Sequence, residues 1–155
     1  MARRLEREIR QQAAFSGLEE EAFLNLQRTA SLLLQAVGNE LKPHRLTPAQ
    51  YNALRILRGA APAALTCGEI GERLVSPGPD VTRLLDRLEA QGLVERLRDE
   101  ADRRLVRARI TARGMELLGR IDAPVAAGLR RLLGPLGPQR LRALIELLER
   151  ARLRA

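Results

Sequence analysis

The sequence predicts a mainly α fold with one small β-hairpin: a winged helix-turn-helix with helical segments on both sides. Three observations predict it. Thr66-Cys67-Gly68-Glu69 is a Thr-x-x-Glu capping box, and Ile70 and Leu74 then fall on one helical face. A second amphipathic stretch follows a turn, with apolar residues at Val81, Leu84, Leu85 and Leu88. Two short strand-like runs come next, joined by a charged tip. The 155 residues read as a single domain. Its winged core spans about residues 47–111, with flanking helical segments at about 1–44 and 112–155.

The elements follow in chain order. Residues 1–14 hold strong helix formers and a thin apolar stripe at Leu5, Ile9 and Ala13, a helix that packs on a partner chain or frays. Ser16-Gly17-Leu18-Glu19 reads as a capping box for a long helix carrying Phe23, Leu26, Ala30, Leu33, Val37 and Leu41. That helix ends near Pro43. Thr47-Pro48-Ala49-Gln50 opens another, with Ala53, Leu54, Ile56 and Leu57 on its buried face. The helix after the Thr66 helix is expected to start at Ser76, as N-cap, with Pro77 at its first position. Gly92 ends it, where a left-handed residue costs least.

Leu93–Leu97 is short and apolar enough for a strand, and residues 98–103 form the tip of a two-stranded hairpin. The return strand alternates, with Arg107 and Arg109 on one face and Val106, Ala108 and Ile110 on the other. Thr111 caps a long helix that contains Pro124, a candidate kink. Gly134-Pro135-Leu136-Gly137-Pro138 breaks the chain before a last helix with Leu141, Leu144, Ile145, Leu147, Leu148 and Leu153. The terminal helices hold more apolar surface than one winged module covers, which predicts a helical dimer interface.

Composition narrows the partner. The net charge is +8, almost all of it from arginine, since Lys42 is the only lysine. GC-rich coding accounts for arginine over lysine but not for the sign. A basic balance in a small chain favours a polyanion. Aromatic residues are only 2% of the chain, too few for platforms that stack single-stranded bases. One cysteine excludes an internal disulfide and fits a reducing cytosol. The sequence shows neither a signal peptide nor a membrane span, so a cytoplasmic protein is expected. There is no phosphate-cradling glycine loop, no metal-ligand spacing and no catalytic set, so neither an enzyme nor a cofactor is expected.

Asp102-Arg103-Arg104-Leu105-Val106-Arg107-Ala108-Arg109-Ile110-Thr111 follows a wing pattern of Asp-x-Arg, five residues, then Leu-Thr, with Ile in place of Leu. Together with Leu88–Arg96 and Leu46–Tyr51, it resembles the MarR (multiple antibiotic resistance regulator) family of bacterial transcription regulators. The resemblance runs from about residue 20 to the end. It implies an intertwined homodimer through the N- and C-terminal helices. It also implies a repressor released from its operator by a small-molecule effector, phenolic or other. That effector would bind between the dimerisation helices and the DNA module, where His44, Tyr51 and Arg55 are the candidate lining. In the wing it implies that Asp102 holds the shape and that Arg104 approaches the minor groove. Arg103 is equally available.

In helix-turn-helix proteins the N-terminal part of the second helix meets base edges in the major groove of double-stranded DNA. Ser76, Pro77, Gly78, Asp80, Thr82 and Arg83 lie there. Thr82 and Arg83 are candidates for base edges, and Arg87 for phosphate. Ser76 and its neighbouring amides suit a phosphate at a helix N-terminus. The plainer reading of Arg83 and Arg87 is a solvated face paired with Asp80, Asp86 or Glu89. Two other functions compete: a non-specific basic architectural DNA-binding protein, and a redox-sensing regulator acting through Cys67.

Overall fold

In the computed structural model, residues 4–76, 78, 80–99 and 105–153 are described. A mainly helical chain surrounds a small antiparallel sheet, as expected. Helix α1 (Arg4–Ile9) is followed by the long α2 (Leu18–Leu41). After a 3-10 turn at Lys42–His44 come α3 (Pro48–Ala60), β1 (Leu65–Thr66) and α4 (Cys67–Arg73). Helix α5 (Val81–Ala90) leads into β2 (Val94–Arg98) and β3 (Val106–Ile110). Helix α6 (Ala112–Leu133) and α7 (Gly137–Arg152) complete the chain.

Local chemistry sets most boundaries. Thr47 and Gln50 close a reciprocal capping box on α3, and Thr66 and Glu69 do the same on α4. Thr111 caps α6 by accepting from the Gly114 N–H. Its own hydroxyl donates to the Gly92 carbonyl at 2.7 Å. Gly92 has φ +69°, and the Leu93 N–H reaches back to the Leu88 carbonyl, a Schellman-type end to α5. Helix α6 continues through Pro124 without a break.

Four expectations need correction. Helix α5 does not start at Ser76. Its N-cap is Asp80, whose carboxylate accepts from the Arg83 N–H. Ser76 and Gly78 lie in the preceding loop, and Gly78 has φ +111°, outside helical geometry. A proline also follows each of them in sequence, which steers the preceding residue away from the α region. At α2 the box is displaced by one residue. Gly17 stands at the N-cap without a side chain, while the Ser16 N–H and hydroxyl both donate to Glu20. The sheet has three strands, in the order β1-β3-β2, because Leu65 and Thr66 pair with the otherwise open edge of β3. Finally, α1 packs on its own chain. Leu5 is buried, and Glu8 accepts from Arg28 on α2 at 2.8 Å.

The core lies between α3, the inner faces of α5 and α6, and the sheet. Leu54, Leu57, Ile70, Leu85, Leu88, Leu93, Leu118 and Ile121 are essentially inaccessible there. Each such side chain contributes about 1.5–3 kcal/mol of burial free energy. Helix α2 runs along α6 and adds Leu41 to this core. Helix α7 buries no residue.

Candidate nucleic-acid interface

Helix α5 turns Leu84, Leu85 and Leu88 into the core. The 3.6-residue period therefore sends Thr82, Arg83, Asp86 and Arg87 outward, and all four are exposed. The Arg83 side chain is 80% exposed, with Nε 3.3 Å from its capping neighbour Asp80. So open a pair adds little stability and yields readily to a better acceptor. Arg87 has no ion pair among the described residues. A cleft of about 230 Å³ separates this face from the start of α3, lined by Thr47, Ala49, Gln50, Asp80, Arg83 and Arg87. The Val75 N–H donates to Asn52 Oδ1 at 2.9 Å, fixing the turn to α3.

The structure thus brings Asp80, Thr82, Arg83 and Arg87 onto or beside one exposed helical face, with Ser76 and Gly78 in the exposed loop before it. Pro77, Asp102, Arg103 and Arg104 lie outside the described residues. The base of the wing is well tied. Arg109 donates to Glu95 across the β2–β3 pair at 2.5 Å. Arg107 is hydrogen-bonded to Asp99 and lies 3.5 Å from Glu69. The Asp99 hydrogen bond pushes the Arg107 pKa up further. Glu69 is held below the usual carboxylate range, first by the Thr66 backbone N–H and then by the Thr66 hydroxyl. One arginine therefore joins the wing to the capping box of α4.

The proposed effector residues divide into two places. Tyr51 is buried and donates to Asp122 Oδ1 at 2.6 Å, while Arg58 donates to Asp122 Oδ2 at 2.6 Å. Arg55 lies over the Tyr51 ring, 5.7 Å from its centre. This cluster joins α3 to α6. Burial, then the Asp122 hydrogen bond, pushes the Tyr51 hydroxyl up to about 12. Burial opposes ionisation of Asp122, but the Tyr51 and Arg58 hydrogen bonds outweigh it and hold its pKa below the ordinary value. His44 instead lines a separate cleft of about 720 Å³ with Arg45, Gly92, Arg113 and Arg120.

Cys67 is partly buried against the core at the first turn of α4. Among the described residues no group of His, Cys, Asp and Glu is placed to hold a metal ion, and no helix is long and apolar enough to cross a membrane.

Sequence reasoning missed Asp122 and Arg58 as partners of Tyr51, and gave Arg96 no role of its own. Arg96 carried one usable signal. It stands two residues after buried Val94 and opposite buried Ala108, on the inner face of the sheet. Arginine occupies such a place only with partners.

Comparison with known proteins bears on these features together. A sequence profile described as the MarR family matches residues 44–105. The chain is 31% identical over 142 residues to the HTH-type transcriptional regulator YkoM of Bacillus subtilis (strain 168), spanning 89% of this chain and 91% of that protein. The crystal structure of a MarR transcription factor from Planctomyces limnophilus superposes with a TM-score of 0.69 at 38% identity, covering 88% of this chain and 98% of that one. The transcriptional repressor CouR, bound to a 23-mer DNA duplex, superposes with a TM-score of 0.78 at 29% identity, covering 91% and 99%.

Proposed function

The chain belongs to the MarR family of transcriptional regulators, and from that premise we propose that it is a cytoplasmic homodimeric repressor that binds a pseudo-palindromic operator. As a member of that family it is a regulator and not an enzyme. The observation that carries the proposal is the outward face of α5. Two arginines project from a helix whose opposite side is locked into the core. Arg83 then reads base edges, with Thr82 beside it, and Arg87 binds phosphate. Asp80 shapes the N-terminal turn through the bond it accepts from the Arg83 N–H, and its half-open carboxylate stands at the same DNA-facing surface. Ser76 and Gly78 lie in the loop that leads to this face, and Pro77, between them in sequence, is proposed to act with them on DNA. In the wing, Asp102 holds the shape while Arg103 or Arg104 enters the minor groove.

An effector, phenolic or other, acts at the joint between the DNA module and the long helices. The Tyr51–Asp122–Arg58 cluster supports this reading, because it is the polar bond between α3 and α6. Arg55 lies at its open edge, and His44 lines the neighbouring cleft. An effector that binds better when this cluster is rearranged shifts the dimer toward a spacing that fits DNA poorly.

The test begins with selection of duplexes from a random pool. The expected product is an inverted repeat whose half-sites lie about 10 bp apart or a multiple of that. Affinity for it should exceed that for scrambled duplex and fall steeply with salt. Equal affinity for both duplexes would instead identify a non-specific architectural protein. Loss of binding on peroxide treatment, abolished by Cys67→Ser, would identify the redox sensor.

A further inference from the structure

Arg96, on β2, crosses from the sheet onto α5. Its Nη2 donates to the Thr82 carbonyl at 2.9 Å and to Asp86 Oδ1 at 2.6 Å. Its backbone N–H donates to Glu89 Oε1 at 3.2 Å. Its Nε is buried without a hydrogen-bond partner, and the Glu89 Oε2 oxygen stands 3.6 Å away. The side chain is only 23% exposed, whereas Asp86 is 55% exposed.

The spacing of these partners matters. Thr82, Asp86 and Glu89 form one stripe of α5 at four- and three-residue steps. Arg83 and Arg87 form the adjacent stripe. With its cap, α5 carries three acids (Asp80, Asp86 and Glu89) and two bases. Such a helix, alone, is repelled by a phosphate-lined groove. Asp86 also stands three residues after Arg83, the spacing at which side chains of opposite charge pair along a helix. An unoccupied Asp86 would therefore draw Arg83 away from DNA.

We propose that Arg96 is a positioning residue for DNA reading: it occupies Asp86 and Glu89, cancels the acidic stripe of α5, and leaves Arg83 and Arg87 to face DNA. The inference rests on α5 being the reading helix. Arg96 itself does not touch DNA. Its loss is felt through Asp86.

The experiment uses the full chain and the duplex that the unaltered protein selects, with scrambled duplex as control. Arg96→Met keeps the apolar stem and removes the charge. It should weaken operator binding by about tenfold. Adding Asp86→Ala to that variant should restore most of the loss, because the carboxylate that Arg96 neutralised is gone. Arg96→Lys, which keeps the charge, should remain within about threefold of the parent. Unchanged affinity in Arg96→Met overturns the proposal. So does a double variant as weak as Arg96→Met, which would make Arg96 a strut or a phosphate ligand. Circular dichroism melting checks that each variant is folded. Should Arg96→Met not fold, Arg96→Lys decides, and a tenfold loss there overturns the proposal. A parent that selects no duplex overturns the DNA reading itself. A binding parent without rescue overturns only the role of Arg96.

Discussion

At the residue scale, exposure and partnership separate the side chains proposed to work on DNA from those that hold the molecule. Arg83 is open and weakly held, so its removal costs the fold little. Arg83→Ala should change the preference at particular base pairs, by about 1–3 kcal/mol for a bidentate contact. Titration against operator and scrambled duplex checks this, and equal loss on both would remove Arg83 from base readout. Tyr51 is the opposite case, a buried hydroxyl donating to Asp122. Its pKa is raised from 10 to about 12, so the neutral form is favoured by folding. The stability this contributes is complete below the unfolded value of about 10 and is lost as pH rises through about 12. Tyr51→Phe should cost about 1 kcal/mol at neutral pH. It should also flatten the decline across that alkaline window, as followed by urea unfolding. A decline as steep in the variant as in the parent would show that Tyr51 is not its source. Asp122 acts at the other end of the scale. Its lowered pKa means that its contribution is present above the ordinary carboxylate range and fades as pH falls through the lowered value.

At the element scale, the joint between α5, β3 and α6 fixes where the wing leaves the core. Thr111 binds this joint through three hydrogen bonds: its N–H donates to the Leu93 carbonyl, and its hydroxyl donates to the Gly92 carbonyl and accepts from the Gly114 N–H. Gly114 sits so close that an added Cβ would lie 2.4 Å from the Leu93 carbonyl oxygen and 2.7 Å from Ile110 Cγ1. The nearest of these atoms is backbone, so the helix must shift to admit a methyl group. Gly114→Ala should therefore destabilise by about 1–3 kcal/mol, despite alanine's better helix propensity. Thermal unfolding measures this, and a variant as stable as the parent would mean that α6 moves freely at its start.

At the scale of the whole molecule, the isolated chain leaves large apolar side chains exposed on α2 and α7, among other places. Phe23, Leu26, Leu32 and Leu34 are exposed on α2, and Ile145 and Leu147 on α7. These helices match the proposed dimerisation segments. Since Ile145 is 54% exposed in one chain, Ile145→Glu should leave the subunit core intact and act on association alone. Sedimentation at micromolar concentration should show a dimer for the parent and a shift toward monomer for the variant. A monomeric parent sinks the homodimer. The variant should also lose operator affinity, because two half-sites bound by one rigid dimer gain effective concentration that separate chains lack.

Sequence alone determined those features whose physics closes within a few residues. The capping boxes at Thr47 and Thr66 span four residues, and the chain forms both as read. The stripe at Leu84, Leu85 and Leu88 and the break at Gly92 were equally local. So was the exposed arginine face of α5, which follows once the opposite side is buried. Tertiary structure decided the rest. Ser76 and Asp80 are both good caps, and the choice fell to Asp80 where Gly78 takes a positive φ and Val81 begins to pack on the core. A two-residue strand such as β1 has no period to read, and it exists because β3 offers an unpaired edge. The polar joint of α3 and α6 is longer-ranged still, since Tyr51 and Arg58 meet Asp122 across 71 and 64 residues, and even Arg96 meets Asp86 only because β2 turns back beside α5. In this arginine-rich chain each carboxylate has many cations of similar local standing. Only the packing of helices and sheet determines which of them comes within hydrogen-bonding distance.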